Sequence, residues 1–175
     1  MPQNKNKSLD IAAIIREAVN AGLHAGRIQA AKIPFDTYKA TEKRLYAHPV
    51  LIDKIADDKG KLEELMTHGA PGRSKSIARF SRGGLRLTPE EILDALVQDL
   101  SVTIAADQYE ADTIAGALRI IEGDPYYPAV AGKYIEGQGD DDIAALMPCD
   151  PSTVRRNRGR LVRKMAVWLY GSQAL

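Results

Sequence analysis

Eight residues near the end of the chain have the types and spacing to hold a nucleic acid: Ser152, Thr153, Arg155, Arg156, Asn157, Arg160, Arg163 and Lys164. An arginine fork matches guanine O6 and N7, and an asparagine amide matches adenine N6 and N7. Arg155, Arg156 and Asn157 are therefore the base-reading candidates. Ser152 and Thr153 open the segment and can hydrogen-bond phosphate from a helix N-terminus. Arg160, Arg163 and Lys164 follow as phosphate anchors. Val154, Leu161, Met165 and Trp168 fall on one apolar stripe of the same segment, broadened by Val162 and Leu169. The cations therefore lie elsewhere on the surface of a single helix. Plain solvation, or docking on the acidic segment before it, is the competing reading. The lack of any acid after position 150 counts against it, because solvated helices interleave both signs.

Other constellations fail on geometry. Asp140, Asp141 and Asp142 are consecutive, so on a helix they point in different directions and cannot converge on one metal ion. They suit the first turn of a helix, where the dipole favours negative charge. His24, His48 and His68 have no metal-ligand spacing. The single cysteine, Cys149, has no neighbouring His to act as a base and no partner for a disulfide. Gly83-Gly84 lacks the Lys-Ser/Thr of a phosphate-binding loop. No residues are thus assigned to catalysis, to a metal or to a cofactor, and the chain reads as a non-enzyme.

The elements that must position the cations read as helices throughout, with no strand-like alternation and no internal repeat. The fold class expected is all-α. Ser8 is placed to cap a first helix carrying Ile11, Ile14, Ile15, Ala18, Val19 and Leu23, weakened by Gly22 and Gly26. Pro34 opens a second helix through Tyr46, and His48-Pro49 is expected to end it. A third segment covers 50–66, interrupted at Gly60. Residues 67–87 are rich in Gly and Arg and read as a basic linker, with a DNA-backbone contact by Arg73, Lys75, Arg79 and Arg82 as the alternative. Thr88, Pro89 and Glu91 form a capping box that restarts helix. Val130, Tyr134 and Ile135 share a face of the next segment, with Gly137 at its C-cap. A short helix over 140–147 has Ile143, Ala144, Leu146 and Met147 as its apolar residues, Pro148 stops it, and Asp150 caps a last helix to about Leu169. A short helix, a tight turn and a longer helix make a helix-turn-helix pattern, placed at about 125–171. The organisation expected is a helical region 1–66, the linker 67–87 and a helical region 88–175 ending in that pattern.

Charge divides the chain sharply. The overall net charge is +1. Residues 101–150 carry 2 Lys/Arg against 10 Asp/Glu, and residues 151–175 carry 6 Lys/Arg and no acid. No apolar run approaches a membrane span, and the polar start MPQNKNKSLD has no apolar core of a signal peptide. A cytosolic chain is the expectation, without a membrane partner.

DPYYPAVAGKYIEG followed by DDDIAALMPCDPSTVRRNRGRLVRKMAVWLYG resembles the C-terminal half of the ArpU/RinA family of phage-type transcriptional regulators. The N-terminal YKATEKRLYAHPVLIDKI resembles the same family's Tyr…Thr-Glu…Leu-Tyr…Pro segment. The resemblance implies a sigma-70 region-4-like DNA-binding domain in a bacterial host cell, activating late, structural or packaging genes of a phage or prophage. Gly139 and Pro148 depart from the family pattern, Gly139 standing where Ser or Thr is usual. Double-stranded DNA is the expected partner. The N-terminal helices are left to pack on the C-terminal domain, to form a homodimer or to contact RNA polymerase. The alternative is a DNA-packaging protein of the small-terminase kind, which also carries a helix-turn-helix but assembles into a ring.

Overall fold

The computed structural model describes residues 11–30, 33–69 and 88–174. Every regular element among them is helical: α1 (Ile11–Ala30), α2 (Thr37–His68), α3 (Pro89–Arg119), α4 (Tyr127–Tyr134), α5 (Asp140–Leu146) and α6 (Pro151–Tyr170), with a short 3-10 turn at Ser172–Ala174. The expected capping by Ser8 and most of the 67–87 linker lie outside the described residues. Within that linker, Thr67 and His68 still belong to α2, and Gly69 ends it with a positive φ of 76°.

The described residues form two compact units, and each unit takes residues from both sides of the 67–87 segment. The first comprises residues 11–25, 55–69 and 88–106, and the second residues 26–30, 33–54 and 107–174. The first unit buries Ala18, Ile55, Val97 and Ala105. Its key close approach is at Gly22, where an added Cβ would lie 2.6 Å from the Val102 carbonyl oxygen and 2.7 Å from the Ala105 Cβ. This explains why α1 does not weaken at Gly22 as the composition suggests. Glycine there lets α1 approach α3 closely, and the packing outweighs a propensity cost of about 1 kcal/mol. The capping box at α3 forms as read: Glu91 N–H donates to Thr88 Oγ1 at 3.2 Å, and Thr88 N–H donates to Glu91 Oε2 at 2.7 Å.

The second unit is organised around Leu45, Ile114, Ala117, Ile121, Val130, Tyr134, Leu161, Val162 and Met165. α2 enters it with Asp36 accepting from the Lys39 N–H at 2.9 Å. The expected stop at His48-Pro49 does not occur, for α2 continues through Pro49 and Gly60 to His68. A proline inside a helix loses one hydrogen bond and costs about 3 kcal/mol. Here the helix is pinned on both sides of it. Arg44 makes a two-pronged ion pair with Glu110 at 2.6 and 2.7 Å, and Lys54 pairs with Asp107. Both acids lie on α3, so tertiary contacts hold the backbone that the proline weakens.

Candidate nucleic-acid interface

The residues singled out in the sequence all lie on α6, which α4 and α5 hold in place. α4 ends at Tyr134, and Gly137 with φ 70° turns the chain while Gln138 N–H returns to the Gly132 carbonyl at 2.8 Å. Four residues, 147–150, then separate α5 from α6. Ala129, Ile143, Ala144 and Val154 form a small buried cluster that joins α4, α5 and α6, with Met147 and Cys149 against it. Cys149 is thus partly packed in an apolar setting. Leu146 does not join this core and is 71% exposed. Ile143, Ala144 and Met147 define the inward arc of α5, and Leu146 falls about 100° away from its centre.

At the start of α5, Gly139 holds the N-cap position and its N–H donates to Asp142 Oδ2 at 3.3 Å. Asp140 does not cap. It reaches across to α6, pairing with Arg158 through both guanidinium nitrogens and with Arg155 at 3.5 Å. Those guanidinium contacts hold the Asp140 carboxyl below the usual carboxylate range, Arg158 contributing most. Asp150 occupies the N-cap position of α6, but its side chain makes no capping hydrogen bond. Its carbonyl instead accepts from the Thr153 and Val154 N–H groups at 2.8 and 3.1 Å.

The apolar stripe of α6 is largely as read. Val154, Leu161, Val162 and Met165 are fully buried, and Leu169 packs at the edge. Trp168 is the correction, being 47% exposed. Its indole lies across Gly116, where an added Cβ would meet Trp168 Cη2 at 2.7 Å. One edge is packed against a glycine on α3, and about half of the residue faces water.

The eight candidate residues separate into two groups. Ser152, Arg156, Arg163 and Lys164 are exposed. Ser152, Arg156 and Arg163 follow i, i+4, i+11 spacing, which is one face of a helix, opposite Val154, Leu161 and Met165. Arg156 and Arg163 stand about 10 Å apart along the axis at 1.5 Å per residue. The Arg163 guanidinium lies 5.5 Å from the centre of the Tyr38 ring. The other group is engaged within the molecule. Arg160 makes a two-pronged pair with Asp124, both contacts 2.9 Å, and its Nε donates to Asn157 Oδ1 at 3.3 Å. Asn157 Nδ2 in turn donates to the Thr153 carbonyl at 3.1 Å. Arg155 meets Asp140 while its side chain stays 57% exposed. Docking on the preceding acidic segment, the competing reading of this helix, is thus met in part: Asp124 and Asp140 both come from it.

Sequence reasoning missed three features that hold this arrangement. Arg158 is not among the candidates, yet its side chain is only 12% exposed against Asp140. It lies on the inward half of α6, about 40° from Val154, so helical phase alone separates it from Arg156. Tyr134 is buried, donates to Glu42 Oε1 at 2.6 Å and meets Tyr46 edge-on at 4.8 Å. Burial and that carboxylate hold its phenol well above the ordinary value. Thr37 Oγ1 donates to the Ala174 carbonyl at 3.0 Å, tying the end of the chain to the start of α2. These last two join distant segments, and no local spacing announces them.

Among the described residues no group of His, Cys, Asp and Glu is arranged to hold a metal ion, and no helix is long and apolar enough to cross a membrane. Searches of protein-family models, curated proteins and solved structures find no match to the chain.

Proposed function

We propose that the protein is a sequence-specific DNA-binding transcriptional regulator of the phage or prophage type. In this reading α5, the four-residue turn and α6 act as a helix-turn-helix of the sigma-70 region-4 kind, and the regulator activates late genes. The observation that carries the reading is the outer face of α6, where Arg156 and Arg163 stand exposed on one face with Lys164 beside it. No acid follows position 150 to neutralise them. The helix is firmly seated from behind by the apolar cluster and by the Arg158–Asp140 pair. A recognition helix needs this combination of a fixed back and an exposed cationic front. Arg156, in the second turn, is the base reader, while Arg163 and Lys164 lie two turns on as phosphate anchors. Asn157 is the weaker base reader, because its amide is already engaged on both sides.

The test is binding to duplex DNA followed across salt concentration. Each phosphate neutralised contributes about −0.9 to the slope of log K against log salt. Arg163, Lys164 and the exposed Arg155 as phosphate contacts give a slope of about −3. A slope near zero on every duplex overturns the reading.

A further inference from the structure

We propose that Asp124 regulates the DNA affinity of α6 by occupying the guanidinium fork of Arg160, so that Arg160 engages a phosphate only by exchanging one anion for another. The inference rests on the DNA-binding reading above and adds an intramolecular competitor to it. Asp124 Oδ1 and Oδ2 each accept from a different Arg160 nitrogen at 2.9 Å. That parallel pair of contacts is the same geometry a phosphate offers to arginine.

The exposures of the partners favour exchange. The Arg160 side chain is 51% exposed and the Asp124 side chain only 17%. The cation therefore faces water and the carboxylate stands behind it. Asp124 is held from its own side, since its Oδ1 also accepts from the Tyr126 N–H at 2.9 Å. The moving part is the Arg160 side chain, which is long and half exposed and, among the described residues, is otherwise held only by a 3.3 Å contact from its Nε to Asn157 Oδ1. Lys164 lies one turn further along α6 and feels the same carboxylate. Asp124 thus lowers the positive potential over two cations while holding one of them.

Arg158–Asp140 is a different case. With only 12% of its side chain exposed, Arg158 is packed in and cannot swing to a ligand. Arg155 touches Asp140 through one nitrogen at 3.5 Å, so the exposed pair with the two-pronged geometry is the one at Asp124. DNA that touches α6 loosely meets Arg156, Arg163 and Lys164, and Arg160 stays on its carboxylate. DNA seated closely enough to bring a phosphate to Arg160 recruits one more contact. Loose binding therefore gains nothing from Arg160, and close seating gains its phosphate contact only by giving up the pair with Asp124.

The experiment is D124N in the full chain, measured by fluorescence anisotropy on a mixed-sequence duplex over a range of salt. Asparagine keeps the Oδ1 that accepts from Tyr126 and removes the charge that holds Arg160. The expected result is mixed-sequence affinity raised about 3–10-fold at low salt and a slope steeper by about one. Unchanged affinity and slope, in a variant that melts cooperatively, overturn the proposal. Where D124N does not fold, the carboxyl carbon resonance of Asp124 in the wild-type protein is followed through a DNA titration. A shift on saturation with duplex supports exchange, and an unmoved resonance refutes it. Wild-type protein that binds no DNA defeats the function itself, whereas binding with an unaltered D124N profile defeats only this inference.

Discussion

Replacing Arg158 by Met isolates the pair that ties α5 to α6. Methionine keeps most of the side-chain length and removes the charge. Breaking a fully buried ion pair costs about 3–5 kcal/mol, and an exposed pair is worth about 0–1 kcal/mol. Arg158 is 12% exposed and Asp140 20%, so the pair sits between these limits. The expected loss is about 1–2 kcal/mol at neutral pH. For a chain of this size each kcal/mol moves the melting temperature by about 2–4 °C, giving a fall of about 2–8 °C. Asp140→Asn loses a similar amount, and the double variant loses less than the two singles added. The exposed Arg155 contact to Asp140 adds little. The pH dependence fixes the sign. Asp140 is depressed in the folded state, so its contribution is fully present above the unfolded carboxylate value of about 4 and is lost as pH falls through the folded value. Wild type and Asp140→Asn therefore converge in acid. Urea midpoints of the four proteins at pH 7 and in acid provide the measurement. Strict additivity within about 0.3–0.5 kcal/mol at pH 7 refutes the coupling.

Three further outcomes are expected. Gly22→Ala destabilises the first unit, because its Cβ would meet the Val102 carbonyl at 2.6 Å, whereas Gly60→Ala has open space and stabilises α2 by about 0.5–1 kcal/mol; thermal melts of both variants compare them directly. Leu161→Ala costs about 2–5 kcal/mol as a fully buried truncation, and Trp168→Ala costs less because half the indole is already wet; equal losses in urea melts contradict the assigned face. Arg156→Ala loses about 1–3 kcal/mol on a site selected from random duplexes and relaxes one base pair, while Lys164→Ala weakens selected and mixed DNA alike; the reverse pattern in titrations at two salt concentrations shows that the docking orientation is wrong.

The elements that could be read from the sequence are those whose signals are local. Thr88-Pro89-Glu90-Glu91 carries its own cap, and the Glu91 carboxylate closes it in the structure. The core face of α6 follows from apolar spacing alone, since Val154, Leu161 and Met165 are all fully buried. The misreadings came where distant residues decide. Pro49 looks like a stop, yet Arg44–Glu110 and Lys54–Asp107 carry α2 through it. Gly22 looks like a weak point, yet its missing side chain is what allows contact with Val102 and Ala105. Trp168 lies in phase with the core, but it packs over Gly116 by the edge of its six-membered ring and stays 47% exposed. In each case the deciding partner lies more than fifty residues away, beyond the reach of helical periodicity.

The candidate site divides by the same logic. Residue type marks every arginine on α6 as a possible contact, but helical phase and the acids of neighbouring elements sort them. Arg158 points inward and is neutralised by Asp140. Arg160 points sideways and meets Asp124, at the turn leading into α4. Arg156 points straight out, exposed on the face opposite the buried stripe. The abrupt charge change at position 150 thus has two causes acting together. Two of the acids before it neutralise the flanks of α6 and fix the helix in place. Of the cations left over, Arg156 stands clear on the outward face, and Arg163 shares that face with the Tyr38 ring. A helix built only to be solvated has no need of this division, since scattered acids on α6 itself balance its charge at lower entropic cost. A helix that presents a cationic front to a polyanion needs its acids elsewhere, on the elements behind it.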